Sequence, residues 1–325
     1  MTTLATHQSL SLATRDGFGQ GMLELGATNP LVYALCADLT TSMRLSEFEK
    51  KYPDRFVQLG VAEQNMMGVA AGLALVGKIP FAASFAIFNP GRNWEQLRNS
   101  VAYSELNVKV VGGHAGLCTG KDGATHQCLE DIALTRVLPN MTVVVPCDAR
   151  QAKEATLALA NINGPAYLRL STQLIPNLNH TNKFEIGRAQ KLQSGSDITI
   201  VTCGDSVHDT LTAASSLEKR GFSVEILNLH TLKPIDQTTI IESANHTHRV
   251  ITVEDHQLAG GLSSAVSEIF IKELNRSLNP SLFFDSVGVQ DKFGESGGGE
   301  ELKAKYKIDA SAILKKALSI LNRKL

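Results

Sequence analysis

Along the first half of the chain, short apolar runs rich in β-branched residues alternate with longer stretches of helical period. LVYALCAD (31–38), IPFAASF (79–85), NVKVVGGH (107–114), MTVVVPCD (141–148) and AYLRLST (166–172) read as strands buried on both faces. Helical patterns fall near 15–26, 63–76, 93–102, 128–137 and 149–161. Such alternation predicts a parallel sheet wrapped by helices.

The segment TQLIPNLNHTNKFEIG (172–187) loses this rhythm and reads as a linker with a polar, Asn-rich middle. The pattern restarts with DITIVTCG (197–204), a helix over 206–220, SVEILNL (223–229), a helix over 236–244, RVITVED (249–255) and a helix from about 261. The prediction is an α/β chain with a first domain over 1–175, a linker over 176–192 and a smaller α/β domain over 193–325. ESGGGEE (295–301) reads as a mobile loop before the last helices.

Composition narrows the function classes. At 325 residues with 43% hydrophobic content the chain can build two cores. Its 31 Lys and Arg nearly cancel 32 Asp and Glu, which leaves no electrostatic footprint for nucleic acid or an anionic membrane. Small anionic substrates stay open, because they need only a few placed cations. Five scattered cysteines without a CxxC pair argue against a disulfide framework or a zinc site and fit a reducing compartment. The N-terminal MTTLATHQSLSLATRDG has no basic region followed by an apolar core, and the longest apolar run, Met66 to Gly77, is too short to span a bilayer. The expectation is a cytoplasmic protein.

Candidate chemistry gathers where strands end. GVAEQNMMGVAAGLALVG (60–77) carries one charge, Glu63, near the start of its helix. That carboxylate either complements the helix dipole, worth about 0.3–1 kcal/mol, or sits buried at an interface to handle protons. GGHAGLCTGKDGATHQ (112–127) follows a strand and offers His114, Asp122 and His126 among five glycines. Loops at the carboxyl ends of α/β strands are where ligands bind, and glycine lets backbone approach them closely. ASFAIFNPG (83–91) places Phe85 and Phe88 three apart, either as core or as a flat wall for a heteroaromatic ring. ADLTTS (37–42) supplies Asp38 and Ser42, and Arg15 precedes the first helix; each alone suits a cap or a surface position as well. His246 and His248 have no acidic or cysteine partner for a metal. AGGLSSA (259–265) reads as a tight turn with a packed helix, and EDH (254–256) as a polar turn at a strand end.

Together and in this order, ATRDG, ADLTTS, GVAEQN, SFAIF, GGHAGLCTGKDGATHQ and PNMTVVVPCDA resemble the C-terminal half of transketolase over nearly the whole chain. The resemblance implies a pyrimidine-binding domain followed by the C-terminal transketolase domain. It also implies thiamine diphosphate as cofactor. In that family a preceding domain holds the diphosphate and a divalent metal, Mg2+ or Ca2+, through a GDG…N motif, and no GDG occurs here. The expectation is therefore the second subunit of a split transketolase, inactive alone, in a heterotetramer with two copies of each subunit.

By the same resemblance, Glu63 hydrogen-bonds the pyrimidine nitrogen, and burial among Met66, Gly68 and Ala71 keeps its proton available. Phe85 and Phe88 form the aromatic wall, and Asp38 joins the cofactor contacts. Asp122 and His126 contact sugar hydroxyls near the reacting carbonyl, and His126 also moves protons. Arg15, Ser42 and His114 take the substrate phosphate. No metal ligands are expected on this chain. One departure stands out: LSTQ (170–173) replaces the family's LSRQ, so Thr172 stands where a second phosphate-binding arginine is expected. Arg169, which strand alternation turns to the opposite face, is no obvious substitute, so a different phosphate pose or another anionic group such as a sulfonate is open. A 1-deoxyxylulose-5-phosphate synthase-like half and a non-catalytic paralogue are the competing expectations. The DGATHQ loop disfavours a 2-oxoacid dehydrogenase beta subunit.

Overall fold

A computed structural model describes residues 11–178, 183–274, 276–279 and 281–323. The first domain begins β1 (Ser11–Leu12), α1 (Thr14–Thr28), β2 (Val32–Cys36), α2 (Ser46–Lys51), β3 (Phe56–Gln58), α3 (Glu63–Leu75) and β4 (Ile79–Phe85). It continues through α4 (Trp94–Gln96), which runs into a π-helical turn over Leu97–Ala102, then β5 (Lys109–Gly113), α5 (Asp131–Arg136) and β6 (Thr142–Val144). It closes with α6 (Ala149–Ala160), β7 (Ala166–Arg169) and β8 (Ile175–Pro176). The second comprises β9 (Gln190–Gln193), β10 (Ile198–Thr202), α7 (Ser206–Glu218), β11 (Val224–Asn228), β12 (Thr231–Lys233), α8 (Gln237–Thr247) and β13 (Arg249–Gln257). It ends with α9 (Leu262–Glu273), β14 (Phe283–Val289), α10 (Gly299–Tyr306) and α11 (Ala310–Leu321).

Two mainly parallel sheets result, as the alternating pattern predicts. The first runs β12-β6-β7-β5-β4-β2-β3 and the second β14-β13-β10-β11-β9. Every residue of β4 is buried, which is why its sequence is a continuous apolar run rather than an alternation. Within these sheets the exceptions to parallel pairing are at edges, where β12 lies antiparallel to β6 and β9 antiparallel to β11, and β1 pairs antiparallel with β8 in a separate two-stranded sheet. The β12 strand comes from the second domain and completes the first domain's sheet, so the two units share a backbone ladder.

Glycine sets the spacing of the helices that frame the site. A Cβ on Gly17 would lie 1.8 Å from the Ala149 carbonyl oxygen, so α1 can approach α6 only with hydrogen there. This contact holds the N-terminal turn of α1, which carries Arg15, at the carboxyl edge of the sheet.

Several elements differ from the sequence expectation. The short α2 and β3 were not foreseen; three residues, FVQ, are too few to show a period. The β9 strand begins inside the span expected as linker, because QKLQ offers a single alternation. The α5 helix starts at Asp131 rather than 128, since the Cys128 carbonyl accepts from Gly116 N–H at 2.8 Å. EDH is not a turn: β13 continues through Gln257, and Glu254, Asp255 and His256 are buried within it. Nor is ESGGGEE a free loop. The Glu295 carbonyl accepts from Gln127 Nε2 at 3.0 Å, a Cβ on Gly299 would meet Cys118 Sγ at 3.4 Å, and α10 starts inside the segment. Its glycines let this backbone lie against the 112–127 loop.

Candidate active site

The neighbouring strands β2, β4 and β5 deliver three loops to one edge of the first sheet: residues 37–42, 86–93 and 114–127. Helix α3 begins beside them with Glu63. Such an edge, outside the carboxyl ends of parallel strands, is where open α/β sheets take ligands.

Glu63 is 1% exposed. Its Oε2 lies 2.8 Å from Arg92 Nη1, its Oε1 accepts from Ser84 Oγ at 3.4 Å, and its carbonyl accepts from Asn93 Nδ2 at 3.1 Å. The expected surroundings need correction here. Met66 and Ala71 are buried and apolar, whereas Gly68 is on the exposed side of the helix, and the carboxylate's nearest partner is a cation. Arg92 was missed, although it stands four residues after Phe88, a spacing that puts both on one side of a helical turn.

The Phe85 and Phe88 rings are nearly parallel, at 12° with centroids 6.3 Å apart. Phe85 also stacks on His114 at 3.7 Å, and His126 turns its edge to both phenylalanines, at 6.3 and 5.6 Å. The Arg92 guanidinium lies over Phe88, 4.4 Å from its centroid. Arg15 donates to the Ser42 carbonyl at 3.3 Å and meets His114 Nε2 at 3.0 Å. Burial, then the Arg15 and Arg44 charges, push the His114 imidazole down to about 3. Among the described residues its Nδ1 is buried without a partner, as is Arg15 Nε.

The structure thus brings Glu63, Phe85, Phe88, His114, His126, Arg15 and Ser42 together. Asp38 and Asp122 are exposed, and neither hydrogen-bonds to a member of that group among the described residues. Asp38 has a φ of 58° and donates its backbone N–H to Gln58 Oε1 at 2.8 Å.

Beneath the 112–127 loop lies a buried charge network that sequence reasoning did not find. Asp131 accepts from Arg169 Nε at 2.9 Å and Tyr167 OH at 2.7 Å, while Arg169 Nη2 donates to the Asp255 carbonyl at 2.7 Å. The Asp255 carboxylate accepts the Leu117 N–H at 3.0 Å, and burial followed by the Asp205 charge pushes it up to about 6. Arg169 therefore faces this network, and Thr172, beyond the end of β7, donates to the Cys118 carbonyl at 2.9 Å. Cys118, Asp205 and Asp255 hold possible ligand atoms within 4.8 Å of one another. The positive charge beside them is Lys303, bonded to Asp209 at 2.8 Å and Gln173 at 2.6 Å. The GGLSSA helix start does cradle a carboxyl group, but its own: Glu254 accepts from Leu262 and Ser263 N–H at 2.7 and 2.8 Å. All five cysteines are free, and among the described residues no helix is long and apolar enough to cross a membrane.

Comparison with known proteins places these features in a family. Residues 11–177 match the transketolase pyrimidine-binding domain and residues 187–313 the transketolase C-terminal domain. A putative transketolase C-terminal section of Methanocaldococcus jannaschii is 43% identical over 307 residues, covering 94% of this chain and 95% of its own. The 6-deoxy-6-sulfo-D-fructose transketolase subunit SqwH of a Clostridium species is 38% identical, covering 95% of each chain. Among solved structures, a split-gene transketolase described as an inactive beta4 tetramer superposes with a TM-score of 0.88 at 43% identity. That match covers 97% of this chain and all of the other.

Proposed function

We propose that this chain, which belongs to the transketolase family, is the pyrimidine-binding subunit of a split transketolase and moves a two-carbon ketol unit between anionic sugars once joined to a second subunit. That subunit would carry the GDG…N domain for the diphosphate and its Mg2+ or Ca2+, two copies of each chain forming the active assembly. The observation that carries the reading is Glu63: a carboxylate 1% exposed at the head of α3, joined through Arg92 to the nearly parallel rings of Phe88 and Phe85.

The donor set fits the pyrimidine end of thiamine diphosphate. Phe85 and Phe88 offer flat faces for an aminopyrimidine, and Glu63 offers an oxygen for its ring nitrogen. When bound, the cofactor supplies the nucleophilic carbon and the electron sink for carbon–carbon cleavage. Glu63 would hold or release a proton at its carboxyl, within reach of the ring nitrogen of a bound aminopyrimidine. His126, half-buried at the rim, can exchange a proton with a sugar hydroxyl, and Asp122 can orient a second. Arg15, with the neutral His114 and Ser42 beside it, receives the anionic end of the sugar. The names of the relatives support an anionic sugar: one is a sulfofructose transketolase subunit, another an apulose-4-phosphate transketolase subunit of Phocaeicola vulgatus. With Thr172 in place of a second arginine, the reading admits sulfonate as well as phosphate.

Helix α3 presents its opposite face to the outside: Leu75 is 72% exposed, and a Cβ on Gly68 or Gly72 would meet nothing within 4 Å among the described residues. Val61 and Val76, which flank the helix, are each 71% exposed. Open apolar surface on and beside the helix that carries Glu63 supports a site shared between chains. The test is Glu63→Gln in the assembled complex. Ketol transfer should fall by at least about a hundredfold, as for loss of a general acid–base group; full activity would refute the assignment.

A further inference from the structure

The carboxylate central to the proposed chemistry is already engaged on both oxygens, Oε1 by Ser84 and Oε2 by Arg92 at 2.8 Å. The same guanidinium lies over Phe88, 4.4 Å from the ring centroid. A guanidinium is planar, donates hydrogen bonds in its own plane and stacks on aromatic faces. An aminopyrimidine is likewise planar, stacks, and bonds through its edge. Arg92 therefore satisfies the two features such a ring would use, the face of Phe88 and the edge contact to Glu63.

Arg92 is not locked in place. Its side chain is 46% exposed against 1% for Glu63. The next residue behaves differently: Asn93 is buried and its amide donates to the Glu63 carbonyl and to Asn89 Oδ1 at 3.0 Å. The backbone here is pinned while the arginine side chain reaches in from solvent.

We propose that Arg92 is a positioning residue of the cofactor site, a stand-in whose guanidinium occupies the place of the aminopyrimidine in the unloaded chain and is displaced when the ring enters. This rests on the reading of Glu63 and Phe88 as cofactor contacts. The physical consequence is a competition. A buried carboxylate without a partner is costly, so Arg92 stabilises the unloaded site and holds Glu63 in one orientation. The entering ring must outcompete it, and the apparent affinity falls by the fraction of molecules in which Arg92 has swung away.

A double-mutant cycle tests the displacement. Wild type, Arg92→Ala, Glu63→Gln and the double variant are each assembled with the partner subunit, and thiamine diphosphate binding in Mg2+ is measured by calorimetry. The melting temperature of each isolated chain is recorded alongside. Arg92→Ala should bind the cofactor about five- to tenfold more tightly while the isolated chain melts lower. In the Glu63→Gln background, where no carboxylate attracts the guanidinium, the same change should alter affinity by less than about twofold. An equal change in both backgrounds would mean a merely structural arginine, and weaker binding by Arg92→Ala would mean a contact that persists in the loaded site; either overturns the displacement. If Glu63→Gln left both cofactor affinity and ketol transfer at wild-type levels, the reading of the site would fail first, and the displacement with it.

Discussion

Arg15 Nη1 lies 3.0 Å from His114 Nε2, and since arginine can only donate, the histidine accepts there and is neutral. Its proton is thereby fixed on Nδ1, which is buried and has no hydrogen-bond partner among the described residues. A cation and a neutral imidazole thus lie side by side in the region where the sugar's charged end is proposed to sit.

Arg15→Ala should raise KM for anionic ketose donors about 10- to 100-fold, the equivalent of losing a charge-assisted hydrogen bond of roughly 1.5–3 kcal/mol. Donors of the same skeleton without the anionic group should be affected far less. Steady-state kinetics on the assembled enzyme with the two donor types separate these outcomes, and equal losses would remove Arg15 from the anion contact.

The pH dependence of stability carries a signature of the same pair. His114 is held at about 3 in the folded chain, below its ordinary value of 6.5, so its contribution is fully present above about 6.5 and declines as pH falls toward 3. His256, pushed down to about 4 by burial, acts in the same direction. Asp255 and Glu254, raised to about 6 and about 8, act oppositely, their contributions present in acid and lost as pH rises through those values. In a comparison of wild type with His114→Asn the other three cancel. Urea denaturation from pH 7 to pH 3 should show a shallower loss of stability for the variant.

The buried network under the 112–127 loop predicts a large effect from a residue that is not proposed to touch substrate. Arg169→Met leaves Asp131 fully buried and without its cation, and should cost about 3–5 kcal/mol. Pairing it with Asp131→Asn should recover part of that loss. Chemical denaturation of the isolated chains measures both, and additive effects would contradict a direct ion pair.

Gly72 lies on the exposed face of α3, where alanine would favour the helix. Gly72→Ala should therefore stabilise the isolated chain by about 0.5–1 kcal/mol. If another chain packs closely on that face, the added methyl group should at the same time weaken assembly with the partner subunit. Melting curves and sedimentation of the mixture give the two readouts, and a gain in both would place the partner elsewhere.

What could be read from the sequence follows from physical range. The β4 run and the α1 pattern are local and long enough to show their period, so the alternating α/β plan was legible. The grouping of Glu63, Phe85 and the histidine-bearing loop came instead from the resemblance to transketolase, since the residues alone suit a helix-dipole charge and core aromatics equally well. The β12 strand was not legible, because three residues that pair with β6, some 90 positions away, carry no periodic signal. EDH misled for a related reason: three polar residues suggest a turn, yet partners supplied from Leu117, Leu262 and Ser263 make their burial tolerable. The Arg92 contact to Glu63 spans 29 positions and depends on how a turn is oriented, which composition does not record.

The β12 ladder bears on how this protein must be built and handled. Because Thr231–Lys233 supplies the edge of the first domain's sheet, the N-terminal unit expressed alone would expose the unpaired backbone of β6, a template for aggregation. The two domains are separate in sequence, yet the first domain's sheet is complete only with a strand from the second. A chain cut between β8 and β9 should stay associated as two fragments, while either fragment made by itself should be insoluble.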